Sequence, residues 1–250
     1  MDKSKILIGR NPVMEALRAG RDIDRLIVGP GNEGSIKKII AMAKDKHVAI
    51  QYQDKSALDR MAEGGNHQGV IAFVSTYVYK EIDDMLKLAE SKGEDPFLVI
   101  LDGLEDPHNL GAIIRSADGA GAHGVIIPKR RSVSVTDVVA KTSAGAIEFM
   151  PVARVTNLSR TIDDLKEKGF WIAACDMGEH MYYEADLTGP IAVVIGSEGF
   201  GISRLVEEKC DFIVSMPMKG GVNSLNASNA AAILLYEVCR QRDIKAKAQK

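Results

Sequence analysis

Three segments of this chain combine residue types that could do chemistry, and each follows an apolar run. Residues 102–115, DGLEDPHNLGAIIR, follow FLVIL at residues 97–101. Pro107 ends the extended stretch there, Asn109 suits a helix N-cap, and Gly111 permits close backbone approach. Counted from Leu110, Arg115 falls about one and a half turns into the helix. Residues 196–201, GSEGFG, follow IAVVI. Glycines between a buried strand and a helix present backbone amides to an anionic or nucleotide-like ligand. The pattern is neither GxGxxG nor GxxxxGK[ST], and without a Walker lysine a phosphate-hydrolysing site loses its main support. Glu198 inside the turn would repel phosphate and suits a cationic or hydroxyl-bearing partner. Residues 216–229, MPMKGGVNSLNASN, gather Asn223, Ser224, Asn226, Ser228 and Asn229, whose amides and hydroxyls need partners. There is no nucleophilic Ser–His pair and no HExxH, and His108 is a lone loop histidine. What remains is a site that positions a substrate, with Arg115 and Glu198 as its charged members.

The elements that must hold these segments alternate β-branched runs with helical patterns. Strands are expected near residues 97–101, 124–127, 147–152, 171–174, 191–195 and 212–215. Helices are expected near 111–119, after 134, at 156–168 and at 223–242. That alternation predicts an α/β fold with a doubly wound, mostly parallel sheet, whose ligands sit at the carboxyl ends of the strands. Residues 1–78 repeat the alternation on a smaller scale, as a small α/β domain with a first helix capped by Asn11 and opened by Pro12. The helical pattern and SKGEDP cluster before residue 97 suggest a linker at 79–96 and a second domain at 97–245.

Composition excludes several classes. Hydrophobic residues make up 46% and charged residues 26%, the balance of a globular chain with a buried core. The first ten residues lack an apolar run of secretory length, and AAAILLY at 230–236 is too short to span a bilayer. Cys175, Cys210 and Cys239 form no CxxC, which argues against a disulfide framework or a zinc site and suits the cytoplasm. Net charge is −2, but residues 1–78 hold 12 Lys/Arg against 9 Asp/Glu and the remainder 20 against 25. Any affinity for nucleic acid must therefore come from local patches.

NLGAIIR, VVIGSEGFGIS and MPMKGGVNSLNASNAAAILLYEV occur in order, and together they resemble the three signature motifs of the SpoU branch (TrmH group) of the SPOUT methyltransferases. The resemblance covers about residues 97–242. GRNPVMEAL and GVIAFV are similar to the small substrate-binding domain of RlmB-type 23S rRNA guanosine 2′-O-methyltransferases. The resemblance implies a trefoil-knotted SPOUT domain, a homodimer with its active site near the subunit interface, and S-adenosylmethionine as cofactor, without a metal. It implies catalytic-site roles for Asn109, Arg115, Glu198, Ser224 and Asn226. It places the cofactor against Gly196, Met216 and Leu225, and against a pocket-edge segment with Thr142 and Ser143. The expected reaction is transfer of methyl to a ribose 2′-hydroxyl of 23S rRNA, in guanosine. A tRNA substrate, or an RNA-binding protein without activity, are the alternatives.

Because a guanidinium is a poor base, Arg115 is expected to stabilise the developing oxyanion rather than take its proton. Arg10, Arg18 and Arg21, with Lys129, Arg130 and Arg131 after a strand end, are the candidate RNA phosphate contacts.

Overall fold

A computed structural model describes residues 5–31, 34–75 and 77–248, apart from the side chains of Lys5 and Glu179; the amino-terminal reading of residues 1–4 lies outside them. The chain divides into two compact units, one formed by Met1–Val78 with Ser134–Asp137, the other by Tyr79–Val133 with Val138–Lys250.

The first unit runs β1 (Lys5–Ile8), α1 (Arg10–Arg18), β2 (Ile23–Val28), α2 (Ser35–Asp45), β3 (Ala49–Tyr52), α3 (Lys55–Ala62) and β4 (Val70–Val74). Its sheet order is β1-β4-β2-β3, with β4 antiparallel to both β1 and β2. Successive strand residues face opposite sides of a sheet. Leu26 and Val28 accordingly pack with Leu17, Ile36 and Ile39 of α1 and α2, while Ile27 packs with Leu58 of α3. Helix α1 begins before the expected Asn11 cap. Gly9 takes φ 96, a conformation glycine adopts freely, and turns the chain out of β1 at Arg10.

The second unit opens with α4 (Ile82–Lys92), inside the stretch expected as a linker. The correction has a packing reason: Met85 is fully buried, and its Sδ fills the space where a Cβ on Gly124 would lie. Six strands follow: β5 (Phe97–Asp102), β6 (Gly124–Pro128), β7 (Val152–Val155), β8 (Trp171–Met181), β9 (Ile191–Gly196) and β10 (Phe212–Ser215). They form one sheet in the order β10-β8-β9-β5-β6-β7, and every pairing is parallel. Residues 97–101 and 191–194 are wholly buried, as expected of strands covered on both faces. The interleaved helices are α5 (Pro107–Gly119), α6 (Asp137–Thr142), α7 (Leu158–Glu167), α8 (Arg204–Glu207) and α9 (Ala227–Ala248).

Several expected boundaries move. Residues 147–152 are not a strand: Gly145 at φ 91 starts a 3-10 turn, Ala146–Glu148, and β7 starts only after Pro151, which has no N–H for a ladder. Strand β8 runs seven residues past the expected Ala174. Helix α9 starts at Ala227 instead of 223, because the Asn226 Oδ1 accepts from the Ser228 N–H at 2.9 Å and closes its first turn.

The chain leaves β5 towards β6 and β7, then returns to place β8 and β9 on the other side of β5. The carboxyl ends of β5 and β9 thus flank a topological switch point, where helices diverge and a crevice opens.

Candidate active site

The crevice is a cleft of about 1230 Å³ at that edge of the sheet. Its walls come from the turn after β9, the loop between β10 and α9, the cap of α5 and the far part of β8.

At the end of β9 the backbone folds on itself. Ser197 and Gly201 exchange two backbone hydrogen bonds, at 2.9 and 3.0 Å. A Cβ on Gly196 would meet the Gly201 carbonyl carbon at 2.2 Å, so only glycine fits there. The turn projects Glu198 towards two other loops. Its Oε1 accepts from the side-chain amide of Asn226 at 3.0 Å and from that of Asn109. Asn226 at the same time caps α9 through Oδ1. One carboxylate oxygen therefore ties together segments that lie 89 and 28 residues away.

Asn109 is buried, at 6% exposure, but it is not the N-cap expected of it. Asp106 holds that position, accepting from the His108 N–H at 2.8 Å, with Pro107 beginning the helix. Proline is well suited to the first helical position, so the Asp-Pro pair moves the start three residues upstream of Leu110. Freed from capping, the Asn109 amide donates to Glu198 and, at 3.4 Å, to Asp106 Oδ2.

Of the other expected residues, Gly196, Met216, Ser224 and Leu225 line the cleft together with Glu198 and Asn226. Arg115 does not. It is exposed on α5, and no hydrogen bond or ion pair to another described residue holds it. Thr142 and Ser143, expected at the pocket edge, are not among the residues that line the cleft. They pack on α5: a Cβ on Gly111 would meet Thr142 Oγ1 at 2.2 Å, and Ser143 is fully buried with its hydroxyl on the Ala140 carbonyl at 3.0 Å. Gly111 does permit close approach, but by a neighbouring helix end.

Sequence reasoning missed the contribution of β8. Its pairing with β10 passes from Ala174 opposite Ile213 directly to His180 opposite Val214. The residues between bulge out and bring Cys175, Asp176, Met177 and Gly178 into the lining. The available signal was Gly178 within an otherwise continuous strand pattern: a Cβ there would meet Ile213 Cγ2 at 2.8 Å.

Among the proposed RNA contacts, Arg10 is committed within the first unit, its Nε donating to the Gln68 carbonyl at 3.0 Å and its Nη1 to Ser35 Oγ at 3.3 Å. Arg18 pairs with Glu15 at 2.7 Å, and Arg21 is exposed. Lys129, Arg130 and Arg131 leave the carboxyl end of β6, which in a parallel sheet is the edge that carries the cleft; both arginines are exposed. Among the described residues no helix is long and apolar enough to cross a membrane, and no cluster of three His, Cys, Asp or Glu could hold a metal ion.

A parallel α/β sheet with its cleft at the switch point, lined by bare glycine backbone, amides and carboxylates, defines a binder of a nucleotide-like and partly cationic molecule. Comparison with known proteins gives that class a family. Residues 96–236 match the SpoU rRNA methylase family, and residues 6–80 match the RNA 2′-O ribose methyltransferase substrate-binding domain. YacO of Bacillus subtilis (strain 168), assigned to the TrmH family of tRNA/rRNA methyltransferases, is 51% identical over 239 residues, 95% of this chain and 96% of that one. The solved SpoU methyltransferase AviRb from Streptomyces viridochromogenes, in complex with AdoMet, is 26% identical with a TM-score of 0.61, covering 96% of this chain and 90% of that one. The A. aeolicus TrmH/SpoU tRNA-modifying enzyme is 27% identical with a TM-score of 0.56, over 66% of this chain and 86% of that one. The chain belongs to the SpoU rRNA methylase family and is an S-adenosylmethionine-dependent RNA methyltransferase.

The cleft suits that cofactor chemically. Asp106, Asp176 and Glu198 face one cation, Lys219, among the described lining residues, an excess of negative charge fit for a sulfonium. Gly196, Gly199 and Gly201 bare backbone for a nucleoside, and Met216 and Leu225 add apolar surface.

Proposed function

We propose that this protein transfers a methyl group to the ribose 2′-hydroxyl of a guanosine in 23S rRNA, in the cytoplasm. The reading is carried by one observation: Glu198 draws Asn109 and Asn226 onto the same oxygen, so that the loops after β5 and β9 and before α9 form one cleft wall. The cofactor supplies an already activated methyl on sulfur. The protein's own work is alignment, which contributes about 7–11 kcal/mol in the best model reactions, and stabilisation of the charge that develops on the hydroxyl oxygen. Asn109 and Asn226 orient Glu198, Ser224 offers a hydroxyl in the same wall, and Gly196, Met216 and Leu225 line the donor side of the cleft.

Arg115 supplies the positive charge for the developing oxyanion. Being exposed outside the lining, it needs bound RNA or a second copy of the chain to bring it to a cleft. A knotted homodimer belongs to this reading, and exposed Phe149, Ile233 and Tyr236 of the second unit offer apolar surface for one. Lys129, Arg130 and Arg131, at the cleft edge, are the favoured phosphate contacts; Arg10, committed to Gln68 and Ser35, is a weaker candidate than Arg21. The separate first unit favours rRNA over tRNA, since the A. aeolicus tRNA enzyme matches only 66% of this chain.

The reading is tested by incubating purified protein with methyl-labelled S-adenosylmethionine and total RNA from cells lacking the gene. Label in 23S rRNA that survives as an alkali-resistant dinucleotide supports it. Label released as mononucleotide would place the methyl on a base, and label in tRNA would replace the substrate.

A further inference from the structure

The carboxylates that line the cleft are unequally committed. Asp106 caps α5, and Glu198 receives the amides of Asn109 and Asn226. Asp176 stands in the β8 bulge, half-buried, with the Met177 N–H donating to its Oδ1 at 2.7 Å. Among the described residues its Oδ2 is reached only by the Ile202 N–H, at 3.5 Å. A Cβ on Gly201 would come within 3.0 Å of that oxygen, so the bare glycine is what lets the carboxylate lie against the turn. Among the described residues no ion pair neutralises Asp176. Its field reaches the neighbouring thiol: burial first, and then the Asp176 charge, push Cys175 up to about 11.

We infer that Asp176 is the residue by which the cleft prefers the positively charged methyl donor to its neutral-sulfur product. The inference rests on the reading that S-adenosylmethionine occupies this cleft. Transfer removes the positive charge from sulfur, and an unpaired carboxylate in a partly desolvated site holds a cation more strongly than a neutral thioether. The same preference speeds exchange of spent S-adenosylhomocysteine for fresh donor. Contact with the α-ammonium or the ribose hydroxyls, which donor and product share, would strengthen both alike.

Calorimetric titration of the full chain and its Asp176→Asn variant with S-adenosylmethionine, sinefungin (an amine cation replaces the methyl sulfonium) and S-adenosylhomocysteine separates these cases. The expected result is a roughly tenfold loss of affinity for the two cations, the scale of a charge-assisted hydrogen bond, with the neutral product unchanged within about twofold. Unchanged product binding also shows that the variant is folded. Asp176→Glu, which keeps the charge, is expected to keep the donor preference. Equal losses for all three ligands, no loss for any, or a lost preference in Asp176→Glu would overturn the assignment. A wild-type protein that binds none of the three would instead overturn the cofactor reading itself.

Discussion

Glu198 and Arg115 carry opposite charges in adjoining motifs, yet their surroundings give them different work. Glu198 is fixed by two amides before any ligand arrives, so its position is preorganised and its cost is met in folding. Arg115 is exposed, and in the reading proposed above it meets its partners only with RNA or with a second copy of the chain. A planar guanidinium fork can contact a phosphate and a developing oxyanion together, whereas an ammonium offers a point charge. Arg115→Lys is therefore expected to slow single-turnover methyl transfer about tenfold or more while leaving donor affinity unchanged. A single-turnover rate near wild type would remove any need for the fork. At this scale the sequence was informative about identity and poor about geometry. The motifs named Asn109, Glu198 and Asn226, but not that the three meet on one oxygen. The Asp106-Pro107 pair is the helix-start signal the chain uses, in place of Asn109. Asp176 carried no glycine-rich context to mark it.

Among the elements, the turn after β9 is the most constrained. Gly196 and Gly201 touch backbone to backbone, and no rotamer can relieve a methyl placed between them. Gly196→Ala is expected to destabilise the protein by about 1–3 kcal/mol, the range for overpacking a well-packed site. Urea denaturation followed by circular dichroism measures this, and an unchanged midpoint would show that the turn is looser than its contacts indicate. Buried strands such as FLVIL and IAVVI were legible, since a run apolar at every position has few other uses. The segment 147–152 was not. Ile147, Met150 and Val152 are buried while Phe149 is exposed, and Gly145 and Pro151 break the ladder before Val152. The far half of β8 was equally hidden, because a bulge depends on the partner strand β10 and not on local pattern.

The whole molecule divides its labour between two units whose separate cores were each foreshadowed by strand–helix alternation. The stretch before residue 97 misled, because its polar residues cover a helix whose Met85 is core. Stability of the second unit also depends on a histidine. His123 is fully buried, its Nδ1 accepting the Phe97 N–H at 3.0 Å and its Nε2 facing Glu94 at 3.1 Å. Burial, opposed by the Glu94 contact, holds the ring below its ordinary value. The unfolded chain then binds a proton more readily than the folded one. The contribution is complete above the unfolded value of about 6.5 and is lost as pH falls below it. The melting temperature is expected to drop between about pH 7.5 and pH 5.5, before carboxylates titrate, and this slope should flatten in His123→Gln. An identical slope in the variant would assign the pH dependence elsewhere.

The most direct measurement maps ribose 2′-O-methylation across total RNA from cells with the gene, without it, and complemented by wild type or by Glu198→Ala. One methylated guanosine of 23S rRNA is expected to disappear on deletion, to return with the wild-type gene, and to stay absent with Glu198→Ala while that protein accumulates normally. An unchanged methylation map on deletion, or full restoration by Glu198→Ala, would contradict a methyl-transfer site assembled around that carboxylate.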